Sequence, residues 1–351
     1  MKKYAQYLAK QSKFIKTTSK RKMEHIRICL EEDVVFKKST GFERYELEHI
    51  ALPELKLSEI DTSTTFLGKR FKLPFFIEAI TGGSPGTEKI NRNLAKAAQE
   101  MGIGMGIGSQ RAMLDDPDMT YTYKVRSVAP DILLLGNIGA VQLAACHQSK
   151  ISDMILEIEA DGLAVHLNAA QEMCQLEGDK DWCNLLSHIG RICRETNFPI
   201  IVKETGCGIA GGIAMGLESA GIRGLDIAGA GGTSFTKVEY HRGARHAKPL
   251  FEWGIPTAVS LVQCKKAVNL PLIASGGIRS GLDCAKAISM GASLAGFALP
   301  LLKPACQSHH EVIRTLKKFE EELKIAMLLT GARTIETLGD TKIWDTASYC
   351  L

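Results

Sequence analysis

No run of apolar residues in this chain approaches the roughly 20 that a helix needs to cross a bilayer. Aromatic residues are also few, at 6% of the 351 residues, although hydrophobic residues together reach 45%. The sequence therefore predicts no membrane-spanning helix, and its ordinary composition favours a globular protein without a membrane partner. The length allows one large domain, and α/β barrels commonly reach this size as a single unit.

Paired cysteine motifs are also absent. The ten cysteines form no CxxC pair and no Cys/His spacing typical of a zinc site. We interpret them as reduced, mostly buried thiols, which favours a cytoplasmic protein.

Basic charge is concentrated at the start of the chain. Residues 1–23 contain eight Lys or Arg and no acid, which leaves 35 basic against 39 acidic residues in the remainder. A slightly acidic body is not typical of a nucleic-acid-binding surface. The basic arm lacks the apolar core of a secretory signal, so we expect a mobile, solvated arm, with an amphipathic transit peptide as the alternative.

Eight short apolar runs alternate with longer, helix-like stretches from about residue 74 onward. Their apolar character is continuous rather than alternating, which is typical of strands covered on both faces in a parallel sheet. The runs are PFFIEAI (74–80), GIGMGIGS (102–109), DILLLGNIG (131–139), GLAVHLN (162–168), PIIVKET (199–205), GIRGLDIAG (221–229), PLIASGG (271–277) and GASLAGFA (291–298).

Eight strand–helix units predict an α/β fold, a (β/α)8 TIM barrel, with an open doubly wound sheet as the alternative. We expect the barrel to occupy 74–335, including a capping helix over 311–330. Residues 1–73 would form an N-terminal arm and a cap over the bottom or side of the barrel. Residues 336–351 would form a C-terminal tail.

Polar or glycine-rich groups follow almost every predicted strand. Active sites of (β/α)8 barrels lie at the carboxyl ends of the strands, whereas the opposite ends here read mostly Pro, Asp and Gly, as turns do. This asymmetry predicts an enzyme. The groups are Thr81-Gly82-Gly83, Ser109-Gln110-Arg111, Asn137, His166 and Asn168 with Gln171 and Glu172, Lys203-Glu204, Gly231-Gly232-Thr233-Ser234, Gly276-Gly277-Ile278-Arg279, and Ala298-Leu299.

Two neighbouring strand ends predict a phosphate site. SGGIRSG (275–281) is followed by a helix-like stretch and then by GFAL (296–299) at the next strand end. Glycine backbone and a helix N-terminus attract anions, and barrels commonly bind phosphate after strands seven and eight. The alternative is that these glycines only form turns. The run GIGMGIGS lies within a strand, so we reject a dinucleotide fingerprint there.

A flat heterocycle is predicted to lie across the mouth of the barrel. Lys203 suits an anion or an electron-rich ring, although it can instead pair with Glu204 or Glu172. Thr81 and Asn137 offer uncharged hydrogen-bonding groups at neighbouring strand ends. Together with the phosphate site, this combination predicts FMN.

A second anion site is indicated by Arg21, Lys22, Arg111 and His166, although Arg21 and Lys22 alone would be ordinary solvated charges. Glu172 is a candidate ligand of Mg²⁺, which favours one or two carboxylates together with substrate phosphate oxygens. A surface ion pair is the alternative role for Glu172.

An ordered set of motifs resembles the type 2 isopentenyl-diphosphate isomerases over about residues 20–335. The set is RKMEH (21–25), AITGG (79–83), GSQR (108–111), GNIGA (136–140), HLNAAQE (166–172), KETGCGI (203–209), GAGGTSF (229–235) and SGGIRSG (275–281). The resemblance implies an FMN-dependent barrel isomerase of isoprenoid biosynthesis that interconverts isopentenyl and dimethylallyl diphosphate. It further implies Mg²⁺, NADPH or NADH as the flavin reductant, and a homotetramer or octamer.

The resemblance also implies roles for individual residues. Gln171 would orient the substrate while reduced FMN transfers the protons, and Glu172 would bind Mg²⁺. The substrate would be bound by Arg21, Lys22, Ser109, Gln110, Arg111, His166 and Asn168. FMN would be bound by Thr81, Gly82, Gly83, Ser109, Asn137, Lys203, Thr233, Gly277, Ile278, Arg279, Ala298 and Leu299.

The chain departs from the family pattern at Ile80, where Met is usual, and at Phe235, where Trp is usual. Both changes keep apolar bulk, so we expect altered packing rather than lost activity. The leading alternative is another FMN-dependent barrel oxidoreductase acting on a hydroxy acid or a nucleotide precursor. Such an enzyme would need a His or Cys base at a strand end, and GAGGTSF contains no His. A non-catalytic flavin- or phosphate-binding barrel is the second alternative.

Overall fold

The computed structural model describes residues 17–349. It begins with helix α1 (Thr17–Glu31), continues through a 3-10 turn (Phe42–Arg44) to the short strand β1 (Tyr45–Leu47), and reaches a second 3-10 turn (Leu57–Glu59). A hairpin of β2 (Thr64–Phe66) and β3 (Lys69–Phe71) precedes the barrel. Residues 1–16, which hold much of the predicted basic arm, lie outside the described part of the chain.

Eight parallel strands close into a barrel, which confirms the predicted (β/α)8 fold. Closure is made where the last strand pairs with the first, with Ala295 opposite Phe75 and Phe297 opposite Ile77, so the open-sheet alternative is wrong. The strands are β4 (Phe75–Ile77), β5 (Gly104–Gly106), β6 (Leu134–Gly139), β7 (Gly162–Leu167), β8 (Ile200–Glu204), β9 (Gly224–Asp226), β10 (Leu272–Ala274) and β11 (Leu294–Phe297).

Helices surround the strands and bury one face each. In the first helix after β4, Ile90, Leu94 and Ala98 recur at helical spacing and are fully buried, because they cover the outside of the barrel. The helices of this layer are α2 (Thr87–Met101), α3 (Arg111–Asp115), α4 (Ala140–Ala145), α5 (Gln148–Glu157), α6 (Ala169–Cys174), α7 (Leu185–Glu195), α8 (Gly211–Ser219), α9 (Phe235–His241), α10 (Thr257–Ala267), α11 (Gly281–Ser289) and α12 (Leu299–Gln307).

The C-terminal segment packs outside this layer. Helix α13 (His309–Leu329) contacts α2, α11 and α12, as expected of the predicted capping helix. A short helix α14 (Ile335–Gly339) follows, and β12 (Ile343–Asp345) then pairs antiparallel with β1. The sequence did not predict this pair, because each strand has only three residues and the partners lie at opposite ends of the chain.

The segment before the barrel reaches both of its ends. Phe66 and Phe71 of the hairpin lie against the first residues of β9 and β5, so the hairpin covers the amino end of the barrel. Val35, by contrast, bridges to Thr233, and Phe36 donates a backbone hydrogen bond to Gly232 at the carboxyl end. The prediction of a cap over the bottom or side therefore describes only part of this segment.

No helix within residues 17–349 combines the length and the apolar character needed to cross a bilayer.

Candidate active site

One large cavity opens at the carboxyl ends of the barrel strands, beneath helix α1. It encloses about 1530 Å³ of empty space, part of which is continuous with solvent. The predicted site residues that line it are Arg21, Lys22, Thr81, Ser109, Arg111, Asn137, His166, Asn168, Gln171, Glu172, Lys203, Thr233, Gly277, Ile278, Arg279, Ala298 and Leu299.

Three predicted site residues do not line the cavity. The side chain of Gln110 is buried beside α3 and donates a hydrogen bond to the carbonyl of Met154, while its Oε1 accepts from the backbone N–H of Asn137. A Cβ at Gly82 would lie 2.2 Å from the ring of Tyr123, and one at Gly83 would also meet that side chain. These three residues shape the walls from behind, through packing and backbone geometry.

Helix α1 forms one side of the cavity. Arg21, Lys22, His25, Ile26 and Cys29 line the cavity from it, and their spacing places them along one face of the helix. Burial and the neighbouring charges of Arg21 and Arg111 lower the pKa of Lys22 to about 7. The sequence predicted roles for Arg21 and Lys22 but not that a helix would bring them over the barrel mouth.

Acidic side chains hold two of the cavity's arginines in place. Arg111 donates to Asp179 at 3.0 Å, and Asp179 also accepts a hydrogen bond from Gln142 at 2.6 Å. Arg21 lies 3.7 Å from a carboxylate oxygen of Glu177. Asp179 and Glu177 could not be predicted from the sequence, because both lie in a loop well beyond the predicted strand.

His166 stands uncharged at the end of β7. Its Nδ1 lies 2.7 Å from Oδ1 of Asn137, which can only accept, so Nδ1 carries the proton. Burial, followed by the charges of Lys203 and Lys22, lowers the pKa of His166 to about 3. A neutral imidazole therefore faces the cavity at neutral pH.

Glu172 is a buried carboxylate that lines the cavity, with 6% of its surface exposed. Oε1 accepts from Asn168 Nδ2 at 3.0 Å, and Oε2 accepts from the backbone N–H of Asp179 at 2.8 Å. None of the ion pairs within residues 17–349 includes Glu172, so the surface ion pair considered for it is wrong. Gln175 Nε2 also donates to Oε2 at 3.4 Å, so three of the about four acceptor positions of this carboxylate are used and one is left for a hard cation such as Mg²⁺.

Gln171 belongs to a hydrogen-bond network that the sequence did not predict. Its Nε2 donates to Glu239 Oε1 at 3.2 Å, and that oxygen also lies 2.9 Å from Nε2 of His25. Arg242 donates to the other oxygen of Glu239 at 2.5 Å. Burial opposes ionisation of Glu239, but the hydrogen bond with His25 and the charge of Arg242 outweigh it and lower the pKa of Glu239. The amide of Gln171 is thus fixed by an anion behind it.

Lys203 pairs with two carboxylates inside the barrel. Its Nζ lies 3.2 Å from Asp226 Oδ2 and 3.5 Å from Glu78 Oε2, and it donates to the backbone carbonyl of Glu204. The sequence-based alternative of pairing with the carboxylates of Glu204 or Glu172 is therefore wrong. Glu78 and Asp226 were visible as single acids within the apolar runs PFFIEAI and GIRGLDIAG, and that is the signal that could have identified them.

The glycine-rich ends of β9 and β10 form a backbone cradle. Gly277 has φ +86°, and a Cβ there would lie 2.6 Å from the carbonyl oxygen of Gly231. A Cβ at Gly232 would lie 2.5 Å from the amide nitrogen of Gly277, so only bare backbone fits. Helix α11 begins just beyond, with Ser280 as its N-cap. This arrangement suits a phosphate.

Thr81 supplies a polar atom that needs a partner. Its Oγ1 is buried in the cavity wall and has no hydrogen-bond partner among the described residues. A buried hydroxyl without a partner is costly, and a ligand edge in the cavity would satisfy it. The cradle, Thr81 and Lys203 therefore fit the phosphate and the polar ring edge of FMN.

Comparison with known proteins identifies the relatives of this chain. The family model for FMN-dependent dehydrogenases matches residues 16–115 and 144–345. An isopentenyl-diphosphate delta-isomerase of Methanothermobacter thermautotrophicus is 46% identical over 328 residues, covering 93% of each chain. Similar proteins of the same name occur in Pyrococcus furiosus, at 45% identity over 92% of this chain and 86% of that one, and in Methanosarcina mazei, at 45% over 94% and 92%.

Solved structures share the barrel at much lower identity. A lactate oxidase from Pediococcus acidilactici superposes with a TM-score of 0.65 at 18% identity, covering 97% of this chain and 94% of that one. Flavocytochrome b2 with pyruvate bound gives a TM-score of 0.67 at 16% identity, over 93% and 84%. At such identities the likeness concerns the fold alone.

Proposed function

The chain belongs to the FMN-dependent dehydrogenase family and, within it, to the isopentenyl-diphosphate delta-isomerases, and we propose that it uses bound, reduced FMN to interconvert isopentenyl and dimethylallyl diphosphate. The observation that carries this proposal is that one cavity combines two sets of groups. A glycine cradle with Thr81 and Lys203 suits a flavin, and a cationic face around Arg21 and Arg111 suits a diphosphate. The 45–46% identity to isomerases over more than 90% of the chain agrees with this assignment.

FMN would be held at the ends of β9, β10 and β11. The backbone of Gly277 and Ile278, with Arg279, would bind its phosphate, and Thr81 and Lys203 would meet the polar edge of its ring. When bound and reduced, FMN supplies the acid and base chemistry that adds a proton to one carbon and removes one from another. NADPH or NADH would serve as the reductant.

The substrate diphosphate would lie between α1 and the ends of β5 and β7. Arg21, Lys22 and Arg111 offer positive charge, and charge-assisted hydrogen bonds to phosphate are roughly twice as strong as neutral ones. His166 and Asn168 complete this wall, and Ser109 borders it. Gln110 is left out of this proposal because its side chain contacts Met154 and Asn137 instead.

Glu172 would bind Mg²⁺ together with the diphosphate oxygens. Within residues 17–349, no three His, Cys, Asp or Glu side chains are grouped as a metal centre. One carboxylate plus substrate phosphates is a common arrangement for Mg²⁺, whereas a site made only of protein ligands is not. We therefore expect the metal to bind with the substrate rather than before it.

Gln171 and His25, which α6 and α1 contribute to the cavity, are uncharged at neutral pH. Gln171 does not titrate, and burial lowers the pKa of His25, so its ring carries no extra proton to donate. Ile80 and Phe235 add apolar surface where the hydrocarbon part of the substrate would lie. These side chains can orient an alkene and exclude water, which leaves the proton transfer to the cofactor.

A homo-oligomer, tetramer or octamer, is part of the proposal. Trp253 and Ile213 line one groove on the outside of the barrel and expose 63% and 57% of their surfaces. Exposed large apolar side chains that lie together are typical of association surfaces. Light scattering of the purified protein tests the assembly.

The proposed function is tested by the cofactor and the product together. The purified protein should be yellow and release FMN on denaturation, and it should convert isopentenyl diphosphate into dimethylallyl diphosphate once the flavin is reduced. A colourless protein that isomerises the substrate would contradict the flavin assignment. A flavoprotein that oxidises a hydroxy acid and leaves isopentenyl diphosphate unchanged would favour the oxidoreductase alternative.

A further inference from the structure

Two carboxyl groups lie next to the same ammonium inside the barrel. Glu78 follows the end of β4 and Asp226 ends β9, and both contact Lys203 of β8. Asp226 Oδ1 also accepts a hydrogen bond from Ser275 at 2.5 Å. The exposed fractions of Glu78 and Asp226 are 4% and 1%, so both carboxyl groups are buried, and Glu78 and Lys203 line the inner wall of the cavity.

Gly296 of β11 provides the space for Glu78. A Cβ at this position would lie 2.3 Å from Glu78 Oε1, so any side chain at 296 would displace the carboxyl group. The other neighbouring strands contribute Ser275, Asp226 and Lys203, of which only the last two are titratable. The surroundings of Glu78 are thus defined by one anion and one cation.

Three of the four carboxylate oxygens of Glu78 and Asp226 receive no hydrogen bond from the described residues. Among the described residues, no N–H or O–H donates to either oxygen of Glu78 or to Oδ2 of Asp226, although all three atoms are buried. Lys203 approaches both groups as an ion pair without forming a good hydrogen bond to either. Buried carboxylate oxygens without donors are costly. Glu78 and Asp226 also lie within hydrogen-bonding reach of each other, so one proton placed between them would satisfy two of these oxygens at once.

The charge balance leads to the same conclusion. Two ionised carboxylates against one ammonium would leave a net negative charge on a buried cluster. Burial, followed by the charge of Asp226, raises the pKa of Glu78 well above its ordinary value. Burial opposes protonation of Lys203, but Asp226 and Glu78 outweigh it and raise its pKa. One shared proton makes the three groups neutral together.

We propose that Glu78 and Asp226 share one proton and act as a positioning pair that holds a single negative charge behind Lys203, balancing its ammonium where it faces the flavin. The part of this proposal that concerns the flavin rests on the proposed function, whereas the shared proton does not depend on it. A reduced flavin gains negative charge, so a second carboxylate charge at this place would oppose reduction, whereas a neutral cluster does not.

An infrared measurement tests the proton directly. The purified protein with its cofactor should show the C=O stretch of a protonated, buried carboxylic acid at pH 7, shifted by deuterium exchange. The difference spectrum against Glu78→Gln, which keeps the shape of the side chain, should show that this band is lost. Burial raises the pKa of Glu204 to about 7, so this carboxyl group can add a band of its own, which Glu204→Gln identifies. Absence of a band that is lost in Glu78→Gln overturns the proposal.

Flavin reduction tests the charge. If the pair holds one negative charge, Glu78→Gln leaves it on Asp226 and Asp226→Asn leaves it on Glu78. Each single variant should therefore change the equilibrium constant for flavin reduction by less than about two-fold, whereas the double variant should raise it by roughly ten-fold. Glu336→Gln, an exposed carboxylate on α14, is the matched control and should change nothing.

The contrary outcomes are distinct. A rise in the equilibrium constant for flavin reduction in each single variant would mean that both carboxylates are ionised. An unchanged equilibrium constant in the double variant would mean that the charge of the pair does not influence the flavin. Either result overturns the proposal. A protein that binds no FMN would refute the proposed function, while the infrared band would still decide the shared proton. If the double variant fails to fold, the loss of the infrared band in Glu78→Gln is sufficient to decide whether the proton is shared.

Discussion

Asn168 donates a hydrogen bond from Nδ2 to Oε1 of Glu172 at 3.0 Å, just beyond the end of β7. The same amide approaches Oε1 of Gln171 at 3.3 Å, so one asparagine fixes two adjacent side chains. Gln171 then continues to Glu239, whereas Glu172 continues to the backbone of Asp179. Neighbours in the sequence are thereby directed into two separate networks, and their loss should have different consequences.

Glu172→Gln should weaken the response to Mg²⁺. The variant keeps the size of the side chain but removes the anion, so more Mg²⁺ should be needed, and excess Mg²⁺ should restore part of the rate. Initial rates against Mg²⁺ concentration check this. Gln171→Ala is the matched control: we expect kcat to fall by about 10- to 1,000-fold through lost orientation, with the Mg²⁺ profile unchanged. If the rate of Glu172→Gln depends on Mg²⁺ concentration as the rate of the unaltered protein does, the carboxylate has a structural role and does not bind the metal.

Arg21→Ala should weaken substrate binding and spare the cofactor. Loss of one charge-assisted hydrogen bond of about 1.5–3 kcal/mol corresponds to roughly 10- to 150-fold weaker binding. We therefore expect KM to rise by that factor while FMN content stays unchanged. Arg27→Ala on the same helix is the control, because Arg27 pairs with Glu31 at the surface. Equal KM values for the two variants would show that Arg21 does not bind the substrate and is an ordinary solvated charge.

Lys22 should make substrate binding depend on pH. Its pKa is lowered to about 7, so the free protein holds it protonated below that pH and increasingly neutral above it. An arriving diphosphate favours the charged form, so binding above pH 7 should take up about one proton and weaken as pH rises. Calorimetry with isopentenyl diphosphate and the oxidised protein, in buffers of different ionisation enthalpy, measures the uptake.

The control for this titration is another lysine of α1. Lys22→Met should abolish the proton uptake, whereas Lys20→Met should keep it, because Lys20 is exposed and does not line the cavity. Unchanged uptake in Lys22→Met would locate the titrating group elsewhere.

Gly277→Ala should release the cofactor. Its φ of +86° is strained for alanine, and the new Cβ would lie 2.6 Å from the carbonyl oxygen of Gly231. We expect a loss of about 1–3 kcal/mol in the free energy of unfolding together with a marked loss of bound FMN. Gly212→Ala is the control, since a Cβ there meets nothing within 4 Å and lies in helix α8. Chemical denaturation and the flavin absorbance of both variants decide the outcome.

The sequence was sufficient for the barrel because its strands are covered on both faces. Runs such as DILLLGNIG are continuously apolar, and their polar ends collect at one edge of any closed parallel sheet. The same logic predicted His166, Glu172 and Lys203 at the mouth, and the structure brings all three to one cavity.

Side-chain direction could not be predicted in the same way. Gln110 stands between Ser109 and Arg111, yet its side chain turns away from the cavity. It immediately precedes helix α3, and its side chain fills a buried site beside Met154. Glu78 and Asp226 lie inside apolar runs, and only three-dimensional pairing with Lys203 reveals what they contact. Helix α1 reaches the mouth through long-range packing, of which its own sequence carries no sign.

The dependence of turnover on flavin reduction tests the central claim most directly. A sample kept free of oxygen is reduced once, excess reductant is removed, and isopentenyl diphosphate is added in large excess over enzyme. The account predicts many turnovers to dimethylallyl diphosphate per reduction, with the flavin still reduced at the end and no activity in a matched oxidised sample. Equal activity of the oxidised sample in air, or one equivalent of reductant consumed per product, would contradict it.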